Sequence, residues 1–212
     1  MNLKNILYIL IVAVLGWVAY MLMNQEKNQT TLKKEYYDFK IDDTASVTSF
    51  IISDYDNNKV ELKRKHTGYW EINNKHRARV DAINNILDMA KRIDLKAPVP
   101  NNAKKNVLKN IAAYYKKITF YKGNSIIKSW YFGTPTKEHD GDYMLLEVSG
   151  EKMPEPFIMT IPGHHGYLSP RAFTDEKEWR HPEIFAYQMQ ELKQVKLTNH
   201  DEPELGFAIK IP

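Results

Sequence analysis

The segment from Ile161 to Asp175 holds the densest group of residues that could do chemistry. Two glycines bracket His164 and His165, and Tyr167, Arg171 and Asp175 follow closely. A metal site would need ligands that converge on one point, whereas adjacent histidines diverge in an extended chain, and no H-E-x-x-H or comparable spacing is present. The bracketing glycines predict a loop whose backbone adopts positive φ.

A hydrolase is the second reading of this segment, with Ser169 as nucleophile beside a histidine and Asp175. The sequence has no G-x-S-x-G elbow, and Ser169 directly precedes Pro170. A turn or a helix cap is therefore the expected role of Ser169. An enzyme that uses His164 or His165 stays an alternative, while we predict no catalytic residue, no metal and no cofactor.

Tryptophans supply the other candidate contacts. Trp70 and Trp130 lie in predicted strands and are expected in the core, because an aromatic side chain there buries a large area. Trp179 follows a charged run and is expected to be exposed or half-buried. We predict an interaction surface formed by His164, His165, Tyr167, Arg171, Trp179 and Arg180.

The composition narrows the classes of protein. Of 212 residues 43% are hydrophobic, which is typical of a globular chain, and 30 basic against 26 acidic residues give a charge of only +4. That small charge, without a recognition helix or an RNA-binding signature, argues against a nucleic-acid partner. There is no cysteine, so disulfides, thiolate zinc sites, a cysteine nucleophile and a lipidated cysteine are excluded.

The N-terminal segment from Ile6 to Met23 is uncharged over 18 residues and predicts a transmembrane helix. The alternative is a cleaved signal peptide with Lys4 as its charged region, but the apolar run exceeds the usual length and no small-x-small site follows. We expect a single-pass inner-membrane protein with its soluble domain in the periplasm. Flanking lysines favour the opposite orientation, yet long domains cross largely regardless of charge.

The rest of the chain reads as a polar tether, 25–44, and one domain, 45–212, behind the anchor at 1–24. Residues 47–72 hold strand-like runs separated by turns at Asp56-Asn57-Asn58 and Thr67-Gly68. Apolar residues at helical spacing predict a helix over 79–93 and a shorter one over 102–112. Strand signals then return, the last at Phe207–Ile211. We predict an α+β fold, a mainly antiparallel sheet with one or two packed helices, preceded by a single N-terminal transmembrane helix.

Several runs in this order resemble a bacterial family, the domain of unknown function 4340. They are Gly68-Tyr-Trp-Glu-Ile-Asn, the helix from Arg79, and Lys96-Ala-Pro-Val-Pro. Its Bacteroidetes branch is similar at Gly133-Thr-Pro-Thr-Lys, Tyr143-Met-Leu-Leu-Glu and the Ile161 segment, and the resemblance covers about residues 40–185. It implies a cell-envelope protein with a membrane segment or lipid anchor. Related domains occur in auxiliary subunits of gliding-motility-type ABC transporters, and the family has no established catalytic residues.

Together these features predict a membrane-anchored cell-envelope accessory or scaffold protein without enzymatic activity. Its expected partners are the lipid bilayer and a protein in a membrane complex. The alternative is a periplasmic ligand-binding or sensing domain for a glycan, peptidoglycan or a metal.

Overall fold

The computed structural model describes residues 3–26, 33–183, 187 and 189–210, and its main element is an antiparallel sheet of ten strands. Helix α1 (Leu3–Glu26) comes first in the chain. The strands are β1 (Ser49–Asp54), β2 (Lys59–Arg64), β3 (Trp70–Ile72), β4 (His76–Arg77), β5 (Asp94–Pro98), β6 (Lys116–Lys122), β7 (Ser125–Pro135), β8 (Asp142–Val148), β9 (Glu151–Lys152) and β10 (Phe157–Thr160). In space they run β4-β3-β2-β1-β6-β7-β8-β10-β5, with β9 also paired to β8.

Two helices carry the chain between distant strands of this sheet. The first four strands form a meander, and α2 (Val80–Arg92) then leads from the β4 edge to β5 at the opposite edge. Helix α3 (Asn101–Tyr114) leads back to β6, which pairs with β1. The one-turn helix α4 (Glu176–Trp179) and a separate hairpin, β11 (Gln194–Leu197) with β12 (Phe207–Lys210), follow.

One face of the sheet, called the core face here, packs against α2. Alternation along the strands sends apolar side chains to this face, where each fully buried one stabilises the fold by about 1.5–3 kcal/mol. The rings of Phe120 and Trp130 lie 4.7 Å apart between centroids. The buried side chains of this face and of α2 include Phe50, Ile52, Leu62, Ile72, Ile83, Ile86, Met89, Phe120, Trp130, Met144, Leu146 and Phe157.

The opposite face is covered in part by α3. Val107 and Ile111 of this helix pack against Tyr131 and Leu145 of the sheet in a second apolar cluster. Gly133 lies under the helix, and a Cβ atom there would stand 2.6 Å from Cγ1 of Ile111. Glycine fits this position because the Ile111 side chain occupies the space that a Cβ atom would need.

The two helices predicted at 79–93 and 102–112 are confirmed as α2 and α3. Trp70 and Trp130 are buried, as expected. Residues 33–44, assigned to the tether, contribute Phe39 and Ile41 to the core. Residues 27–32 of the tether and Ile211 of the last predicted strand lie outside the described residues.

The transmembrane prediction is wrong, and the fold-class prediction is wrong in that part. The N-terminal segment forms α1, 24 residues long. The run from Ile6 to Met23 has 18 residues, at the lower end of the roughly 17–25 that a span takes, and Tyr8, Gly16 and Tyr20 lower its mean hydropathy. Within the residues that the structure describes, no helix is long and apolar enough to cross a membrane. The single-pass inner-membrane localisation and the periplasmic placement of the domain depended on that span and are therefore not supported.

Replacing Gly133 by alanine should destabilise the fold by about 1–3 kcal/mol, because the new methyl group overlaps Ile111. Chemical denaturation measures this cost. In an Ile111→Ala background the same change should cost clearly less, since the overlapping atom is gone. Equal costs in both backgrounds would show that the α3 contact does not select glycine.

Candidate binding loop

Asp142 fixes the position of the segment that the sequence singled out. It lies in phase with Met144 and Leu146 of β8, so alternation places its side chain on the core face, where it is fully buried. Its Oδ2 accepts a hydrogen bond from the backbone N–H of Leu168 at 2.5 Å. Burying a carboxylate is unfavourable unless it is hydrogen-bonded. This contact therefore holds Leu168 next to the first residue of β8.

Burial raises the pKa of Asp142 above its ordinary value of 3.8. Desolvation is the largest cause, because it penalises the charged form. Donors of Leu168 and Ser169 and the positive charge of Arg171 act in the opposite direction and do not overcome it. The carboxyl group is therefore more easily protonated than an exposed aspartate.

Arg171 closes the loop on itself. Its Nη1 donates to the carbonyl oxygen of Tyr167 at 3.0 Å, and its Nη2 lies 3.1 Å from Nε2 of His164. Since a guanidinium only donates, Nε2 of His164 accepts and the ring proton is assigned to Nδ1. Burial lowers the pKa of His164, and the charges of Arg171, His165 and Arg92 lower it further.

The backbone of the loop shows the predicted positive φ values, 76° at Gly163 and 128° at Gly166. Helix α2 also holds the loop, because Nη2 of Arg92 donates to the carbonyl oxygen of Pro162 at 3.5 Å. Leu168 is fully buried, and the ring of Tyr167 lies 5.2 Å from that of His139. We call residues 163–171 the binding loop.

Four of the six predicted surface residues meet in this loop. His164, Tyr167 and Arg171 are half-buried and contact the loop or its neighbours, and His165 is exposed. Ser169 begins a short 3₁₀ turn, as expected. Asp175 accepts from the backbone N–H of Lys177 at 2.9 Å and so caps α4. Asp175 is thus engaged at the start of α4, whereas Ser169 is a donor to Asp142.

Trp179 belongs to the core, so the expectation of an exposed or half-buried side chain is wrong. Its ring lies 4.3 Å from Phe173 and 6.0 Å from Phe50 between centroids, and Nε1 donates to the carbonyl oxygen of Phe173 at 2.9 Å. The physical reason is the single turn of α4, which directs the indole ring onto the sheet although charged residues precede it.

Arg180 lies away from the binding loop. It forms a β-bridge with Ala78, beside the edge strand β4, and an ion pair of 2.6 Å with Glu176. Strands β3, β2, β1, β6 and β7 stand between β4 and β8, the strand that holds the loop. Trp179 and Arg180 therefore do not extend the loop into one continuous surface.

The sequence-based prediction missed Arg92, and it considered Asp142 only as a possible metal ligand and not as the buried acid that holds the loop. An acid in phase with Met144 and Leu146 of a predicted strand is the signal that could have indicated a buried carboxylate. Nothing in the sequence pairs Arg92 with Pro162, because that contact depends on the path of the chain after β10. Among the described residues, no three His, Asp or Glu side chains are grouped closely enough to hold a metal ion.

No protein-family model, curated protein or solved structure matches this chain. The resemblance to the domain of unknown function 4340 therefore stays a prediction. The geometry defines the class of site as an ordered surface loop held by a buried acid.

Asp142→Ala should release the loop, because the N–H of Leu168 loses its buried acceptor at a cost of about 1–3 kcal/mol. Hydrogen exchange at the amides of residues 168–171 is the direct measurement, and exchange should accelerate. Asp142→Asn keeps an acceptor oxygen and should exchange more slowly than the alanine variant. Exchange in Asp142→Ala that is as slow as in the unmodified chain would show that the hydrogen bond does not hold the loop.

His164 should give the fold a pH dependence. Its pKa is lowered below 6.5 in the folded chain, so the unfolded chain binds the proton first and stability falls as pH drops from 6.5 through the folded value. The free energy of unfolding, measured with denaturant between about pH 7.5 and about pH 5, should show this loss, because the interval contains the ordinary histidine pKa. His164→Gln should flatten the profile, and His66→Gln at an exposed position is the control. A slope unchanged in His164→Gln would contradict the assignment.

Proposed function

We propose that the chain is a non-enzymatic accessory or scaffold protein that binds a protein partner through the binding loop. The observation that carries the proposal is the way the loop is held. Asp142 accepts a hydrogen bond from the N–H of Leu168, and Arg171 donates to the carbonyl oxygen of Tyr167 within the loop. Arg92 of α2 donates to the carbonyl oxygen of Pro162, just before the loop begins. His165 nevertheless remains exposed at its centre.

Such fixation matters for binding because an ordered loop loses little conformational entropy when a partner docks. Binding residues are commonly carried by loops on a rigid scaffold. The sheet and α2 supply that scaffold here, and both anchor the loop directly.

The buried acid also favours a binding role over a purely structural one. An apolar residue in phase with Met144 and Leu146 would extend the core, whereas Asp142 carries a desolvation cost that raises its pKa. A costly group that orders an exposed segment is typical of functional sites. In this proposal, the unfavourable desolvation of Asp142 is retained because its hydrogen bond holds the loop in place for a partner.

A polar cleft of about 310 Å³ continues the surface from Pro162. Its lining includes Lys40, Lys91 and Arg92 together with Asp94. Lys40 and Arg92 already pair with Asp42 and Asp88. This mixture of charges suits a polar protein surface that exchanges hydrogen bonds.

The test compares partner capture by the full chain and by loop variants, each purified in mild detergent and analysed by quantitative mass spectrometry. A stoichiometric partner should accompany the unmodified chain. Truncating a central contact costs more than about 1.4 kcal/mol when it is a hot spot, so His165→Ala should reduce capture about tenfold. Lys122→Ala, at an exposed hairpin turn on another part of the sheet, should leave it unchanged.

Two results would contradict the proposal. One is capture of the partner by His165→Ala, and by a second loop variant, Tyr167→Ala, that equals capture by the unmodified chain. The other is a chain that purifies alone and at one size under every condition that preserves its fold.

A further inference from the structure

The C-terminal hairpin carries a continuous apolar face that no function assigned so far uses. Val195 pairs with Ile209 and Leu197 with Phe207, so alternation puts these four side chains on the same face of β11 and β12. They are 46–57% exposed. Gln194, Lys196, Ala208 and Lys210 occupy the other face.

This hairpin lacks the support that such an element needs. Within the described chain, β11 and β12 form a two-stranded sheet of their own, separate from the ten-stranded sheet. Every residue of both strands is exposed. A single two-stranded hairpin is marginal in water, and stability requires further strands or another packed layer.

Charge is distributed unevenly along the same hairpin. Three lysines lie in or next to the strands, at Lys193, Lys196 and Lys210, whereas the connection between the strands holds Asp201, Glu202 and Glu204. Lys193 and Lys210 lie at the open end, near Glu191, and leave it net basic, whereas Lys196 lies one residue from the tip, which its three acids leave net acidic. A strand of four residues separates the two ends by about 13 Å, which exceeds the Debye length of about 8 Å at physiological salt.

We propose that this face binds the same face of a second copy of the chain, with the two hairpins antiparallel about a twofold axis. In that arrangement the acidic tip of each hairpin lies over the basic open end of the other. A twofold contact requires a surface that is complementary to itself. The two apolar rows meet this condition, because the Val195–Ile209 row of one copy covers the Leu197–Phe207 row of the other.

The charges set the direction of the pair and the apolar side chains supply most of its stability. Lys196 and Lys210 project from the face opposite the apolar one. Because the hairpin is only two strands wide, their flexible side chains can bring the ammonium groups past its edges toward the acidic groups of the other copy. A parallel arrangement would bring like charges together at both ends, which is unfavourable. The contact shares no residue with the binding loop and does not depend on the function proposed for it.

Charge reversal gives the sharpest test, made on the full chain by sedimentation and light scattering. Lys193, Lys196 and Lys210 changed to Glu make both ends acidic, and Asp201, Glu202 and Glu204 changed to Lys make both ends basic. Each variant alone should be monomeric at concentrations where the unmodified chain is dimeric. An equimolar mixture of the two should form a heterodimer, because every tip then faces an end of opposite charge.

The control variant reverses as many charges elsewhere. Lys105, Lys109 and Lys122 are exposed on α3 and at the end of β6, and their change to Glu should leave the dimer intact. The mixing experiment also excludes misfolding, because unfolded variants could not restore a dimer. A contact of this small size should have a dissociation constant of about 1–100 µM.

A cysteine scan locates the contact, since the chain has no cysteine of its own. A mixture of Val195→Cys and Leu197→Cys chains should be joined by a thiol cross-linker that spans the roughly 10 Å between facing sheets, because Leu197 of one copy covers Val195 of the other. Lys122→Cys chains should not be joined. The proposal is overturned if the unmodified chain is monomeric above about 100 µM, which is the upper limit of the expected dissociation constant. It is equally overturned if the reversed variants stay dimeric, if their mixture stays monomeric, or if the Val195→Cys and Leu197→Cys chains are not cross-linked to each other.

Discussion

The buried carboxylate of Asp142 is the constraint on which the site depends. The register of β8 puts this side chain among Met144 and Leu146 on the core face, where a charge is unfavourable without a partner. The N–H of Leu168 donates to Oδ2 of this side chain, and that bond fixes where the chain must pass after β10. The loop then closes through Arg171 and lies against α2 through Arg92, so one acid sets the course of a whole exposed segment.

The same core face joins both ends of that segment. Residues 168–179 have a buried apolar side chain at each end. Leu168 is buried at the first end, and Trp179 packs in the core near Phe50 at the other. Between these apolar anchors the chain crosses the face that α2 also covers. The loop is thus held on a scaffold whose rigidity comes from close packing, while the C-terminal hairpin lies outside that scaffold and exposes its apolar face.

Local patterns in the sequence were sufficient for α2, α3 and most strands, but not for β4, β9 and α4 or for the arrangement of the elements. Helix α2 was predictable because Ile83, Ile86 and Ala90 recur at helical spacing. The burial of Trp179 and the distance of Arg180 from the loop were not predictable, since both depend on where residues 162–180 cross the sheet. The N-terminal helix α1 forms where the apolar run predicted a helix, but it is not long and apolar enough to span a membrane.

Partner capture by Asp142 variants tests the central claim most directly, because the Asp142 side chain is fully buried and cannot touch a partner itself. If the acid serves to hold the loop for binding, Asp142→Ala should weaken capture about as much as a change in the loop, and Asp142→Asn should largely preserve it. Equal capture by the alanine variant and the unmodified chain, both folded, would contradict the account.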